Sequence, residues 1–369
     1  MILSICIPTY NRIKQLNFQL NSIFSQVKKN NLFKDIEVVV GENSDDQNKL
    51  IKNSLITKFK LLKLKIIRNK KNIGYANNLN KLIKNSKGKY CWFLSDDDYL
   101  RNNALKIIIN NLKFTNFDYI TFKSGGRPGY KKAKKFDMYF SDIPGKKKNS
   151  IIAGNKFLEK YWLSVIFISI NVFNRKKMQE HILKYNLKKK INIAYHNSFL
   201  CLSFIKNKNV MIINEFLVDD SYDKKNYTFK NQYEMWVNSW YELIYALKKF
   251  NIPSKTIYSM RLMGLRNFKS MIIFFLQYHF AFDNNGKFNI LLKGTLKKIR
   301  NLNFFDKLIF LISLIFFQIL EKKILKKIVK ILSFNLFKSK FNKNIINELQ
   351  KEEMQINLKN KLRMKYSSN

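Results

Sequence analysis

Three carboxylates stand side by side in the stretch YCWFLSDDDYL, at Asp96, Asp97 and Asp98, directly after the apolar run 90–94. Adjacent carboxylates repel one another, which raises their pKa values and disfavours the cluster. A divalent cation reverses that balance, because hard cations seek oxygen ligands; Mg²⁺ is typically held by one or two carboxylates and by substrate phosphates. The D-x-D spacing lets one acid meet a metal while another addresses a ribose. A solvated turn capping the next helix is the plainer alternative. The buried strand before the acids, and the polar groups expected beside them, favour the metal.

Those neighbours follow from the elements that position them. Apolar runs at 2–7, 36–40, 64–67, 90–94 and 117–122 read as strands. Between them, Leu16, Leu20, Ile23 and Phe24, then Leu50, Ile51, Leu55 and Phe59, then Ala76, Leu79, Leu82 and Ile83, and Ala104, Leu105, Ile108, Ile109 and Leu112 recur at helical spacing. Alternating strand and helix predicts an α/β domain with a mainly parallel sheet covered on both faces. Further strands are expected at 165–170 and 210–213, and a helix at 199–205. Ligands of an open parallel sheet bind beyond the carboxyl ends of its strands. There the chain places Pro8, Thr9, Tyr10, Asn11 and Arg12, then Glu42 to Asp46, then Arg68, Asn72 and Gly74, then the three acids. This is the layout of a nucleotide-binding cleft.

Four segments carry a family resemblance: SICIPTYNR, VVVGENSDD, NIGYANNLN and GKYCWFLSDDDYL. In this order, on these strand tips, the region 4–100 resembles the nucleotide-sugar-binding half of family 2 glycosyltransferases of the GT-A fold, a Rossmann-like sheet. The resemblance implies that Pro8, Thr9, Tyr10 and Glu42 hold the base and ribose of a nucleotide-sugar donor. Arg12, Asn72, Gly74 and Asn78 would belong to the same donor site. Asp96 would lie near the ribose or sugar, Asp97 beside it, and Asp98 would be the main protein ligand of Mg²⁺ or Mn²⁺. Glu42 stands where the family usually has Asp, and Ser95 replaces an acid found in many relatives. The implied reaction is inverting sugar transfer, in which a base deprotonates the acceptor hydroxyl. Relatives often place that base, an Asp, at the start of a helix in the second half. The comparable place here reads NIAYHNSFLCLSF. His196 is therefore expected as the base, since its ordinary pKa suits the role, with Asp219 and Asp220 as competing candidates.

Charge points to the partners. Against 69 Lys and Arg the chain has 25 Asp and Glu, a net charge of +44. Such an excess implies membrane lipid, nucleic acid or a phosphorylated substrate. No helix-turn-helix, zinc-finger or RNA-recognition signature supports nucleic acid. The run LIFLISLIFFQIL at 308–320 spans about 20 Å as a helix, short of a bilayer core of roughly 30 Å. The following EKKILKKIVKILSF puts Ile324, Leu325, Ile328, Ile331 and Leu332 on one face, with lysines over much of the rest. That is a basic amphipathic helix suited to an anionic membrane surface; together with the family resemblance it implies a glycolipid or oligosaccharide acceptor. Cys6, Cys91 and Cys201 form neither a disulfide framework nor a zinc pattern, and MILSICIPTYNR is no signal peptide. Both favour a cytosolic enzyme at the inner face of the membrane. The expected organisation is a catalytic domain over 1–230, a helical membrane-associating region over 231–340 and a polar tail over 341–369. The catalytic domain divides into a donor half at 1–123, a mobile loop at 124–150 and an acceptor half at 151–230. A basic nucleic-acid-binding protein, a sugar-nucleotidyltransferase and an inactive transferase relative are the competing readings.

Overall fold

The computed structural model describes residues 1–45, 53–114, 116–126, 149–187, 194–220 and 234–267, together with residue 308. Strands β1 (Leu3–Thr9) and β2 (Ile36–Glu42) are buried almost throughout. Their near-continuous aliphatic runs are what strands covered on both faces require. Between them runs α1 (Ile13–Lys29), whose Leu16, Leu20, Ile23 and Val27 are buried on one stripe. Each such side chain contributes about 1.5–3 kcal/mol when removed from water. Next come α2 (Asn53–Lys58) and β3 (Lys65–Arg68), then α3 (Tyr75–Asn85) and β4 (Tyr90–Phe93). Gly74 precedes α3 with φ 80, a backbone state that a side chain would oppose. The chain continues through β5 (Tyr99–Leu100), α4 (Ala104–Lys113) and β6 (Tyr119–Gly126).

The second half supplies β7 (Ser150–Ala153), α5 (Gly154–Tyr161), β8 (Val172–Asn174), α6 (Arg175–Lys184), α7 (His196–Ile205) and β9 (Asn209–Asp220). The strands form one mixed sheet in the order β3-β2-β1-β4-β8-β6-β9-β5, with β7 also on β9. Strands β1, β2, β3 and β4 are mutually parallel. The expectation of a mainly parallel sheet holds there. Beyond β4 the sheet departs from it: β8 is antiparallel to β4 and β6, and β5 and β7 are antiparallel to β9. Two antiparallel steps return β6 and β9 to the direction of β1. Their carboxyl ends therefore share an edge with the donor-side tips.

Two local expectations change. Pro8 does not end the first strand. By that point β4 has left β1, whose last pair with β4 is Cys6–Phe93, while pairing with β2 runs on to Thr9–Glu42. The missing N–H of Pro8 thus falls where β1 has only one neighbour. The strand expected at 165–170 is instead two short 3₁₀ helices, Trp162–Ile166 and Ile168–Ile170. Asn171 explains this. Its Nδ2 donates to the carbonyls of Phe167 at 2.7 Å, Ile168 at 3.2 Å and Val165 at 3.3 Å, so a side-chain amide competes with sheet pairing.

The chain forms two compact units, Met1–Lys225 with Glu242–Met260, and Asn226–Tyr241 with Arg261–Asn369. In the first, Phe250 packs edge-on against Phe199 and is tilted against Tyr185 and His181. In the second, Asn267 Nδ2 donates to the Trp236 carbonyl at 3.4 Å. Of the loop at 124–150, residues 127–148 lie outside the described residues, as do the apolar run beyond Leu308, the amphipathic stretch at 322–332 and the tail at 341–369. Among the described residues no helix is long and apolar enough to cross a membrane.

Candidate active site

The tips of β1, β2 and β3 end in register, with Thr9 opposite Glu42 and Glu42 opposite Arg68. The acids follow β4 beside them. Thr9 Oγ1 donates to Asp96 Oδ2 at 2.7 Å. Arg12, at the entry to α1, reaches Asp96 Oδ1 at 3.2 Å and Asp97 Oδ2 at 2.6 Å. The other Asp97 oxygen accepts from Ser95 Oγ at 2.6 Å. Asp98 Oδ2 accepts a hydrogen bond from the Ser169 hydroxyl. Asp96 and Asp98 are both buried.

Burial pushes the Asp96 carboxyl up to about 6, with Asp97 adding to it; the Thr9 and Arg12 contacts pull the other way. Burial lowers the pKa of Arg12, but Asp97 and Asp96 outweigh it and leave the guanidinium raised. Arg12 thus offsets part of the charge of Asp96 and Asp97. Among the described residues no three His, Cys, Asp or Glu side chains converge to cage a metal by themselves. The oxygen donors do suit a hard cation held by one carboxylate and completed by phosphate oxygens, so the residues fit Mg²⁺ or Mn²⁺ brought together with a diphosphate.

The remaining donor-side residues divide into two groups. Tyr10 is exposed, and its hydroxyl donates to Asp45 Oδ2 at 3.0 Å. Asn11 adopts φ 56 and donates through Nδ2 to Asp45 Oδ1 at 3.1 Å. Pro8 is half-buried just before them. Glu42 is buried and pairs with Arg68 Nε at 3.3 Å. Asn72 and Asn78 instead belong to an amide network. Asn43 Nδ2 donates to Asn72 Oδ1 at 2.7 Å, Asn69 Nδ2 to Asn43 Oδ1 at 3.2 Å, and Asn78 Nδ2 to the Gly41 carbonyl at 2.8 Å. Asn72 Oδ1 also accepts from the Gly74 N–H at 2.9 Å. These asparagines pin the turn before α3. A methyl group at Gly41 would stand 2.4 Å from Asn78 Oδ1, so Gly41 lets the network approach the β2 backbone.

The three base candidates are placed differently. His196 opens α7 and is fully buried. Its Nε2 meets Asn80 Oδ1 at 3.3 Å, and among the described residues Nδ1 has no partner. Burial pulls its pKa down to about 4. Its neighbour Asn197 accepts from the Tyr75 hydroxyl at 3.2 Å, so the start of α7 is tied to α3. Asp219 lies on the donor edge, opposite Tyr99 across the β5–β9 pair. Arg101 holds its Oδ1 through Nε at 2.7 Å and Nη2 at 2.6 Å. Gly125 makes room for that pair, since a methyl there would stand 2.2 Å from Arg101 Nη2. Asp220 ends β9; its side chain lies outside the described residues.

Ser169, Asn69, Arg101 and Gln19 were not among the expected site residues. Gln19 Nε2 donates to the Ser95 carbonyl at 3.3 Å from the buried face of α1. A glutamine beside the apolar stripe of α1 was its one visible signal. A separate hollow of about 410 Å³, lined by Lys89, Asn174, Arg175, Lys176, Lys177 and Glu180, lies where β4 begins, at the opposite edge of the sheet.

Comparison with known proteins agrees with this geometry. Residues 4–183 match Glycosyl transferase family 2, and this region of the chain is a glycosyltransferase domain of that family, with a GT-A-type α/β sheet. It is similar to the poly(ribitol-phosphate) beta-N-acetylglucosaminyltransferase TarP of Staphylococcus aureus, with 26% identity over 254 residues, 66% of this chain and 72% of TarP. It is also similar to the abequosyltransferase RfbV of Salmonella typhimurium, with 34% identity over 113 residues. That match covers 29% of this chain and 32% of RfbV. Among solved structures, S. aureus TarS residues 1–349 share the fold with a TM-score of 0.50 and 13% identity, over 81% of each chain.

Proposed function

We propose that the protein transfers a sugar from a nucleotide-diphosphate donor to a glycan or lipid-linked acceptor in the synthesis of a bacterial surface polymer. The observation that carries this reading is the convergence of Thr9, Arg12, Glu42 and the three acids on one edge of the parallel strands. Thr9, Tyr10 and Glu42 receive the nucleoside, and Asp96 lies at the ribose. Asp98 would hold Mg²⁺ or Mn²⁺, which when bound supplies positive charge to the departing diphosphate. The asparagine network keeps the turn at 72–74 in place beneath the donor.

Asp219 is the base in this reading. Arg101 occupies Oδ1, so Oδ2 would be the oxygen that takes the acceptor proton. The acceptor oxygen forms a bond to the anomeric carbon as the bond to the diphosphate breaks. Its proton passes to Asp219, and attack from the opposite face inverts the anomeric configuration. The net charge of +44 suits an acceptor that bears phosphate or sits at an anionic surface, and the activity of TarP concerns such a phosphate polymer.

The donor is tested by thermal unfolding against a panel of nucleotide sugars with and without Mn²⁺. One donor class is expected to raise the midpoint by about 5–10 °C only with metal, as saturation near one hundred times Kd stabilises by about 2.7 kcal/mol. No metal-dependent shift with any of them would count against the reading. Membrane attachment through the segment 308–332 is tested by flotation of the full chain with vesicles. The expected result is co-flotation with anionic vesicles at low salt, lost near 1 M salt, where the Debye length falls to about 3 Å. Equal recovery with zwitterionic vesicles would exclude electrostatic attachment.

A further inference from the structure

We propose that Ser169 is a positioning residue that fixes the direction of the Asp98 carboxylate, and so sets how tightly the donor-bound cation is held. The proposal rests on the reading of Asp98 as the metal ligand. Ser169 and Asp98 are separated by 71 residues, yet both are buried and joined by a hydrogen bond from the serine hydroxyl to Oδ2. The same hydroxyl oxygen accepts from the Ser95 N–H at 2.9 Å. It thus ties the backbone at the start of the acid triad to the carboxylate at its end.

Ser169 is itself held from two sides. Trp92 Nε1, within β4, donates to its carbonyl at 2.8 Å. Asn171, contacted by the Tyr119 hydroxyl, pins the carbonyls of Phe167 and Ile168 in the turn that carries Ser169. A carboxylate turns broadly about its terminal torsion when nothing fixes it. A charge-assisted bond from a rigid hydroxyl removes that freedom. Losing such an outer partner typically costs 10–100-fold in metal affinity or activity.

The test measures the Mn²⁺ concentration that half-saturates stabilisation of the full chain by UDP, or by the diphosphate nucleotide of whichever donor the panel selects. Ser169→Ala is expected to raise that concentration about tenfold or more, alongside a lower metal-free unfolding midpoint from the loss of its two buried hydrogen bonds, and Ser169→Thr, which keeps the hydroxyl, to restore the metal requirement. If the alanine variant does not fold, Ser169→Cys, close in size and only a weak donor, is expected to show the same shift. A wild-type metal requirement in a folded Ser169→Ala or Ser169→Cys protein overturns the proposal. Asp98→Asn is measured alongside. If it also keeps the wild-type requirement, the metal reading falls and the proposal with it; if it alone loses the response, only the role of Ser169 falls.

Discussion

Asp98→Asn is expected to lower turnover at saturating donor and metal by about 10³-fold, roughly 4 kcal/mol of lost transition-state stabilisation. The substitution is close to isosteric, and the amide oxygen can still accept from Ser169. It also removes one of three neighbouring negative charges at a buried strand tip, so the fold is expected to be retained. Loss of rate without loss of stability identifies a group whose charge serves chemistry. Asp97→Asn provides the contrast. Both Asp97 oxygens are already engaged, by Arg12 and Ser95, so its loss is expected to cost less than tenfold. Initial rates with the purified variants, beside their unfolding midpoints, check both. A decrease below tenfold for Asp98→Asn would remove the carboxylate from the metal site.

The donor half was largely legible in the sequence, because its elements announce themselves locally. The runs in β1, β2 and β4 are apolar and bounded by polar tips, and the helices between them carry clear stripes, as at Leu16, Leu20 and Ile23. The strand tips then follow from topology alone. What could not be read were interactions between distant segments. Nothing near Ser169 marks it as a partner of Asp98. Nothing near Asn171 announces that its amide will take the carbonyls of an apolar, β-branched run and turn an expected strand into 3₁₀ helix. The segment NIGYANNLN was legible as a pattern, but the partners of its amides were not: Asn72 Oδ1 accepts from Asn43 and Gly74, and Asn78 Nδ2 donates to the Gly41 carbonyl.

The acids also look different once Arg12 is considered. Counted along the chain, Asp96, Asp97 and Asp98 are three uncompensated charges. In the fold, Arg12 bridges the first two and Thr9 supports Asp96. Arg12 acts as a built-in counter-ion that lets the triad exist without a metal. The Asp96 carboxyl is nonetheless raised to about 6, first by burial and then by Asp97, against the pull of Thr9 and Arg12.

His196→Gln and Asp219→Asn are expected to separate structure from chemistry in the acceptor half. Asp219→Asn should lower turnover by about 10²–10³-fold, the scale of general-base removal, with donor binding in the presence of metal retained. His196→Gln should keep turnover within about tenfold of wild type, because its ring lies between α7 and α3, bonded to Asn80, rather than at the strand tips. Its expected signature lies in stability instead. Burial depresses the folded pKa of His196 to about 4, against about 6.5 when unfolded. Between those values the unfolded chain binds a proton that the folded chain excludes. The stability this residue contributes is therefore complete above pH 6.5 and is lost as pH falls towards 4. The loss amounts to about 2 kcal/mol between pH 7.5 and 5. His181, also pulled down to about 4 by burial and then by Lys208 and Lys184, contributes in the same window and remains in the variant. Urea unfolding at pH 7.5 and 5 should thus show a smaller acid penalty for His196→Gln than for wild type, with a residual slope from His181. A slope equal to wild type would place His196 in contact with water, and with a hundredfold loss of turnover would restore it as the base in place of Asp219.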